Sequence, residues 1–429
     1  MTSAPSDPAA FLRQLFQAGL DAVSADTILP RLLTPEALPR PKGRTLVIAA
    51  GKGAAAMAAV AERAWGEAPQ SDGPLSGLAV TRYHHGQELR RITLVEAAHP
   101  TPDAAGMKAA AQALDLAAAL TPDDLLLCLL SGGGSALMVA PAPGVTLADK
   151  QALTKALLRS GAAIGEINTV RKHLSRFKGG RLAAVSRAPV VTLAVSDVPG
   201  DDPGTIASGP TVPDATTLAD ARAVLARHGI EPGPSIRAAL DDPANETPKP
   251  GSLPHARYTL AATPIQALEA AAQVARAAGV TPLVLGDDLE GEAAEVAKVH
   301  AGIARGCLRH GQPLPRPCVL LSGGETSVTV RGQGRGGRNA EFLLALAVAL
   351  KGDPVWALAC DTDGIDGTED NAGALLTPDT LARAQALGID AAAHLANNDG
   401  YGFFQALGDL VVTGPTRTNV NDFRALYIP

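Results

Sequence analysis

The sequence predicts an α/β protein made of two α/β domains, the first built around a parallel sheet. Strand-like apolar runs alternate with helical stretches along most of the chain. The runs are almost continuously apolar, which is typical of parallel strands that helices cover on both faces. Several runs end in loops rich in glycine and polar residues, and ligands bind at these strand ends in such sheets. We therefore expect a ligand site at the carboxyl ends of the strands.

The first domain begins with a helix over residues 7–24, in which Asp7 is the cap and Pro8 lies in the first turn. Strands are then predicted at 45–50, 77–81, 92–96, 125–130 and 190–196. Helical stretches are predicted at about 53–65, 103–119 and 147–165.

A domain boundary is predicted near residues 241–256, where four prolines and almost no apolar residues occur. The first domain is therefore expected over 1–245 and the second over 255–429, with a cleft between them. Strands of the second domain are predicted at 258–261, 281–285, 318–321, 327–330, 355–360 and 409–413. Its helices are predicted at 264–278, 290–309 and 342–350.

Composition excludes several classes of protein. The 429 residues carry a net charge of −6, which argues against a broad nucleic-acid-binding face. The apolar runs are too short to span a membrane, and the N-terminal residues lack the basic and apolar regions of a signal peptide. The four cysteines form no CxxC pair and the histidines show no zinc spacing. We expect a cytoplasmic protein.

Two glycine loops follow predicted strands of the first domain. Gly51-Lys52-Gly53 begins a G-x-G-x-x-A turn, in which backbone N–H groups can bind an anion and Lys52 can meet a phosphoryl group as a point charge. As a dinucleotide motif the turn is weak, because no Asp or Glu follows the second strand to bind a ribose hydroxyl; an exposed surface lysine remains an alternative. The run Ser131-Gly132-Gly133-Gly134-Ser135 suits a phosphate cradle, with a tight structural turn as the alternative.

Charged residues mark further candidate positions. In the basic segment 166–183, helical spacing would place Arg171, Ser175 and Lys178 on one face, where they could bind a carboxylate or phosphate, although a solvated helix face is equally consistent. Asp197 ends an apolar strand, as a general base or metal ligand often does. Asp361 and Asp363 lie in an acidic loop that fits Mg²⁺ carried on a nucleotide.

Ten short motifs occur in order along the chain and together resemble one family. They lie at residues 50–53, 98–100, 130–136, 167–175, 178–181, 196–200, 206–211, 322–325, 336–339 and 361–364. This set resembles the class II glycerate kinases, also called the glycerate 2-kinase or MOFRL family. Individually the motifs are weak, but their order and number make the resemblance specific over almost the whole chain.

The resemblance implies a Rossmann-like first domain, a smaller MOFRL-type second domain and an active site in the cleft between them. It implies phosphorylation of D-glycerate by ATP with Mg²⁺, usually at the 2-hydroxyl. Lys52 and Arg338 would neutralise the transferred phosphoryl group. Asp197 would be the base, and Asp361 and Asp363 would lie near Mg²⁺. The residues expected to bind substrate or phosphate are Gly51, Gly53, Ser131, Gly132, Gly133, Gly134, Ser135, Arg171, Lys178, Gly336, Gly337 and Asn339.

Two other functions stay open at this point. A nicotinamide-dependent hydroxypyruvate reductase is favoured by the G-x-G-x-x-A turn and opposed by the absent ribose carboxylate. A sugar-acid-binding protein without catalytic activity is opposed by the acidic loop at 361–366. The expected partners are glycerate and ATP, without nucleic acid or membrane, and both a monomer and a homodimer are compatible with the sequence.

Overall fold

A computed structural model of the chain describes residues 5–66 and 74–429. Its residues form two compact units. The parallel-sheet unit is Ala25–Ala261, and the mixed-sheet unit is Met1–Ser24 together with Ala262–Pro429. The domain boundaries predicted from the sequence, 1–245 and 255–429, differ from this division, because they assign the N-terminal segment to the domain of the first sheet. Residues 1–4 of that segment lie outside the described residues.

Helix α1 (Pro8–Ala22) explains why the N-terminal segment belongs to the mixed-sheet unit. Asp7 caps the helix by accepting a hydrogen bond from the backbone N–H of Ala10 (3.0 Å), as predicted. Its apolar face packs in one core with Leu268 and Phe423, far along the chain. That face consists of Phe11, Leu12, Leu15, Phe16 and Leu20.

The parallel-sheet unit contains six strands in the order β3-β2-β1-β4-β5-β6, which is the strand order of Rossmann folds. The pairs from β3 to β5 are all parallel. The strands are β1 (Thr45–Ala50), β2 (Leu75–Arg82), β3 (Ile92–Ala97), β4 (Leu125–Leu130), β5 (Val190–Val195) and β6 (Ala256–Ala262). β1 and β4 are buried along their full length, as their continuous apolar sequences predicted.

The helices of this unit connect and cover the strands. They are α2 (Ala25–Ile28), α3 (Ala54–Trp65), α4 (Ala104–Ala118), α5 (Gly134–Leu137), α6 (Leu147–Arg159), α7 (Ile164–His173), α8 (Arg181–Val185), α9 (Leu218–Arg227) and α10 (Pro234–Asp241). Short 3₁₀ turns occur at Pro30–Leu32, Pro199–Asp201, Ile206–Ser208 and Pro243–Asn245.

The mixed-sheet unit has a six-stranded sheet in the order β13-β12-β11-β14-β9-β7, in which only β7 and β9 pair in parallel. Its strands are β7 (Thr281–Gly286), β9 (Cys318–Ser322), β11 (Trp356–Asp361), β12 (Gly373–Leu376), β13 (Leu410–Val411) and β14 (Asp422–Ile428). Two further short strands, β8 (Gly291–Glu292) and β10 (Thr326–Ser327), pair with each other.

Six helices complete this unit beside α1. They are α11 (Pro264–Ala277), α12 (Ala293–His310), α13 (Arg338–Leu350), α14 (Thr380–Ala386), α15 (Ala391–Ala396) and α16 (Gly400–Leu407). Within the described ranges of the chain, none of the helices is both long and apolar enough to cross a membrane.

Two sequence predictions of local conformation differ from the structure. The strand expected at 327–330 is reduced to Thr326–Ser327, and Val330 is exposed. The helical spacing assumed beyond residue 173 is wrong, because α7 ends at His173 and a turn follows. Ser175 forms that turn by accepting hydrogen bonds at its hydroxyl from the N–H groups of Phe177 and Lys178 (both 3.1 Å).

The proline-rich segment 241–256 lies within the parallel-sheet unit. Glu246 anchors it by accepting hydrogen bonds from the Leu218 N–H (3.1 Å) and from Lys249, and its carboxylate lies 3.0 Å from His173 Nε2. Prolines shape this segment as a docked surface loop, whose regular secondary structure between α10 and β6 is limited to the 3₁₀ turn Pro243–Asn245.

Candidate active site

The two glycine loops of the parallel-sheet unit are held together at the ends of β1 and β4. These strands are neighbours, so their carboxyl ends meet at the point where the strand order reverses and where such folds bind ligands. The Ser131 N–H donates to the Ala50 carbonyl (2.9 Å), and the Lys52 N–H donates to the Gly132 carbonyl (2.8 Å). The Gly53 N–H donates to Ser131 Oγ (3.0 Å). The two loops therefore lie side by side at the carboxyl edge of the sheet.

Glycine is required at two positions of these loops. Gly51 has φ +129°, and a Cβ there would lie 2.4 Å from the Ser131 carbonyl oxygen. Gly133 has φ +83°, and its Cβ would lie 3.1 Å from the His99 ring and 3.4 Å from Lys52 Cγ. The missing side chains thus allow the two loops, His99 and the stem of Lys52 to approach one another closely.

Asp197 lies two residues beyond β5, at the same carboxyl edge as the glycine loops, because β5 runs parallel beside β4. The side chain is half-buried. Its charge contributes, after burial and Asp202, to raising the pKa of the Tyr258 hydroxyl. The structure thus places the predicted base at the edge of the sheet that carries Lys52.

A cavity of about 560 Å³ opens beside the second glycine loop. Gly133, Ser135, Arg171 and Lys178, all predicted to bind substrate or phosphate, line it together. Lys178 Nζ donates to the Ser135 carbonyl (2.6 Å), to Ser135 Oγ (3.1 Å) and to the Met138 carbonyl (3.3 Å). The turn formed by Ser175, rather than a helix face, brings Lys178 to the cavity.

Arg338 is the centre of the candidate site in the mixed-sheet unit. As the first residue of α13 it forms three ion pairs, from Nε to Asp422 (2.7 Å), from Nη1 to Glu325 (2.6 Å) and from Nη2 to Asp361 (2.9 Å). Burial disfavours the charged guanidinium, but these carboxylates outweigh it and raise the pKa of Arg338 well above its ordinary value. The guanidinium is therefore fixed in position and permanently charged.

Asp422, at the start of β14, joins Arg338 to a second buried arginine. Asp422 accepts a hydrogen bond from Asn339 Nδ2 (2.8 Å) and pairs closely with Arg424. Burial favours the neutral acid, but Arg338 and Arg424 outweigh it and lower the pKa of Asp422. This carboxylate and Arg424 support Arg338 from inside the sheet.

The N-terminus of α13 binds a carboxylate of the chain itself. Asp366 accepts hydrogen bonds from the N–H groups of Asn339 (3.0 Å) and Ala340 (2.9 Å). Gly337 makes room for it, since a Cβ there would lie 2.3 Å from Asp366 Oδ1; at Gly336 a Cβ would lie 2.9 Å from the Tyr401 nitrogen. The phosphate-binding role of Gly336, Gly337 and Asn339 stays a prediction.

Asp361 and Asp363, the predicted metal ligands, lie at the end of β11 and in the turn that follows. Asp361 Oδ1 accepts from the Asp363 N–H (3.0 Å), and Asp363 Oδ1 accepts from the Ile365 N–H (2.8 Å). In the part of the chain that the structure describes, no group of three or more His, Cys, Asp or Glu residues is placed to hold a metal ion. Their role as ligands of a Mg²⁺ ion carried on a nucleotide, which takes only one or two carboxylates, stays a prediction.

Two protein families match the chain. Residues 11–241 match a family described as "Domain of unknown function (DUF4147)", and residues 318–422 match the MOFRL family. A D-glycerate 2-kinase of Thermotoga maritima is 40% identical over 403 residues, which are 93% of this chain and 94% of that protein. The chain belongs to the MOFRL-containing glycerate kinase family.

Other relatives extend this result. The crystal structure of glycerate kinase from Thermotoga maritima matches with a TM-score of 0.88 and 38% identity, covering 99% of this chain and 100% of that chain. An Agrobacterium vitis protein named "Putative hydroxypyruvate reductase" is 54% identical over 422 residues, which are 97% of this chain and 94% of that protein. The family and the two-domain α/β fold predicted from the sequence are confirmed.

In this family member, sequence reasoning missed several residues of the candidate site. Lys150, on α6, is buried and lines the cavity, where its Nζ donates to the Leu174 carbonyl (2.7 Å). Asp422 and Arg424 lie on β14, which the sequence did not predict. The only available signal for these residues was the position of a charge inside an apolar segment, and this pattern is also typical of exposed side chains.

Proposed function

We propose that this protein transfers a phosphoryl group from ATP, with Mg²⁺, to the 2-hydroxyl of D-glycerate. The observation that carries the proposal is its 40% identity to a D-glycerate 2-kinase over 93% of the chain. The charged groups described above support it, because phosphoryl transfer depends chiefly on positioning and on neutralising charge.

Each residue would act through its charge or its proton affinity. Lys52, beside the two glycine loops, would neutralise developing charge on the transferred group. Arg338, held by its ion pairs, would do the same without reorganising. Asp197 would accept the proton of the attacking hydroxyl. Asp361 and Asp363 would hold Mg²⁺, which supplies charge neutralisation on the nucleotide phosphates when bound.

The test is a coupled assay of the purified protein with ATP, Mg²⁺ and D-glycerate. The expected result is glycerate-dependent formation of ADP, with 2-phosphoglycerate as product and loss of activity on adding EDTA. Enzymes specific for 2-phosphoglycerate and 3-phosphoglycerate distinguish the two products. A product that is entirely 3-phosphoglycerate would contradict the regiochemistry, and no ADP formation would contradict the kinase activity.

A second candidate is reduction of hydroxypyruvate by NADH or NADPH, which the name of the Agrobacterium vitis relative favours. The Rossmann strand order also suits a nicotinamide nucleotide. Against it, β2 ends at Thr81 and Arg82, which offer no carboxylate to the ribose hydroxyls. Consumption of NADH on adding hydroxypyruvate without ATP would reverse this ranking.

We infer a cytoplasmic location for this activity. All four cysteines are buried and unpaired, as is usual for proteins of a reducing compartment. The net charge of −6 and the small substrates of the proposed reaction are consistent with an enzyme that binds neither nucleic acid nor membrane.

A further inference from the structure

The cavity beside Gly133 is lined by charged side chains of one sign. Among the lining residues that the structure describes, none is Asp or Glu. The basic and titratable residues that face it come from four parts of the unit: the segment after β3, α6, α7 and the turn after α7. These residues are His99, Lys150, Lys155, Arg171 and Lys178.

The two buried lysines have neutral partners. Lys150 Nζ donates to the Leu174 carbonyl, and Lys178 Nζ donates to Ser135 and to the Met138 carbonyl. An ammonium carries three N–H donors, so Lys150 retains hydrogen-bonding capacity toward a ligand. Within residues 5–66 and 74–429, no carboxylate offsets the lowering of the pKa of either lysine or of Arg171.

The electrostatic effect of this arrangement is large. Burial, with the charge of Arg171 added, lowers the pKa of Lys150 to about 7. Burial also lowers the pKa of Lys178 well below its ordinary value, and Lys150 and Arg171 lower it further. An anion that binds among these three residues stabilises their charged forms.

The size and the lining of the cavity indicate which anion binds there. A volume of about 560 Å³ lies within the range of pockets for nucleotide-sized ligands, whereas glycerate would fill only a small part of it. Part of the wall is apolar and suits the uncharged part of a ligand. It is formed by Pro100, Pro102, Val139, Leu147 and Leu158. The Gly133 end lies next to Lys52, at the point of the sheet where nucleotides bind in such folds.

We propose that this cavity binds the nucleotide and that Lys150 is a phosphate-binding residue together with Arg171 and Lys178. The proposal rests on the proposed function, which supplies ATP as the phosphoryl donor. Beyond the proposed function, it states where the nucleotide binds and adds Lys150, which no sequence motif marks, as a phosphate-binding residue.

Binding would then take up protons. At pH 8 Lys150 is mostly neutral in the free protein, and a phosphate beside it stabilises the charged form, so the pKa rises on binding. Lys178 contributes to the uptake in the same direction, whereas Arg171 stays charged throughout. At pH 6 Lys150 is already charged, and its share of the uptake disappears.

The experiment is isothermal titration calorimetry with ATP at pH 8 in two buffers of different ionisation enthalpy. For the natural protein we expect net proton uptake. Lys150→Met should bind at least about tenfold more weakly and take up about one proton less. Lys150→Arg should retain most of the affinity but lack the share of Lys150 in the uptake. Lys108→Met, at an exposed position on α4, is the matched control and should bind like the natural protein.

Several outcomes would overturn the proposal. One is ATP binding by Lys150→Met with unchanged affinity and proton uptake. Another is a Lys150→Met variant that still binds ATP but no longer binds D-glycerate when D-glycerate is titrated alone, because the cavity would then hold the acceptor. If circular dichroism shows that Lys150→Met does not fold, unchanged proton uptake in Lys150→Arg still overturns it. Nucleotide binding as expected without glycerate phosphorylation would support this pocket and contradict the proposed function.

Discussion

At the scale of single residues, Lys52 gives the most direct test of catalysis. Its backbone N–H donates to the Gly132 carbonyl, which fixes Lys52 beside the second glycine loop. If it stabilises charge in the transition state, Lys52→Ala should lower kcat by at least about 10²-fold. Steady-state kinetics with ATP and D-glycerate measure this, with Lys42→Ala, an exposed lysine before β1, as the control. A kcat near that of the natural protein would exclude this role.

The buried carboxylate of Asp422 is a residue whose removal should damage stability. Asp422→Asn would leave Arg338 and Arg424 without their shared countercharge inside the sheet, at an expected cost of about 3–5 kcal/mol in the free energy of unfolding. Glu325→Gln removes a partner of Arg338 that is 47% exposed and should cost only about 0–1 kcal/mol. Urea unfolding compares the two variants, and equal losses would show that burial does not decide the effect.

Residues differ in how far the sequence could identify them. Lys52, Arg338 and Asp361 stand in loops next to apolar segments, where unusual residues are visible. Lys150 and Lys155 both interrupt the apolar residues of α6, yet one is buried and the other exposed. The difference arises from α7 and the turn after it, which close over Lys150, and no local pattern encodes a contact of that kind.

At the scale of elements, the segment around Glu246 gives a prediction of pH dependence. Burial opposes the charge of this carboxylate, but hydrogen bonds from Lys249, from the Leu218 N–H and from His173 outweigh it and lower its pKa to about 2. Its stabilisation is therefore present above about pH 4.5, the ordinary pKa, and is lost as the pH falls through about 2.

Urea unfolding between pH 2 and pH 6 measures this effect. Glu246→Gln should be less stable than the natural protein at pH 6, on the order of 1–2 kcal/mol after allowing for its partial exposure, and the difference should vanish near pH 2. Glu231→Gln, in which the natural side chain is 91% exposed, is the control and should follow the natural curve. A difference that does not change with pH would contradict the role of the charge.

At the scale of elements, strands were predictable from the sequence where one continuous apolar run specifies them. β1 and β4 coincide with their predicted ranges because continuous apolar residues specify buried parallel strands. β14 was not predicted, although it lies inside its sheet between β9 and β11. It is buried on both faces, and the charged Asp422 and Arg424 are accommodated there because they pair with each other and Asp422 also pairs with Arg338 of α13. Such compensation depends on partners from distant segments.

At the scale of the whole molecule, each of the two units contains one tryptophan. Trp65 lies in the parallel-sheet unit and Trp356 in the mixed-sheet unit. Leu15→Ala removes a fully buried side chain from α1 and should destabilise the mixed-sheet unit by about 2–5 kcal/mol. The unfolding midpoint should therefore shift when Trp356 is the fluorescent reporter, in a Trp65→Phe background.

For comparison, Leu15→Ala is also measured in a Trp356→Phe background, where Trp65 reports on the parallel-sheet unit. A smaller shift there is expected, because Leu15 packs in the core that contains Leu268 and Phe423. Equal shifts of both reporters would show that the two units unfold as one cooperative body, and would contradict the expectation.

The placement of α1 has a consequence for the synthesis of the protein. The ribosome completes α1 before its packing partners, which follow only after all of Ala25–Ala261 has been translated. At about 5–20 residues per second, the apolar face waits for roughly 12–50 s. During that interval the parallel-sheet unit can fold around its own core while α1 stays unburied. Nascent chains therefore expose the apolar face of α1 until these packing partners have been translated.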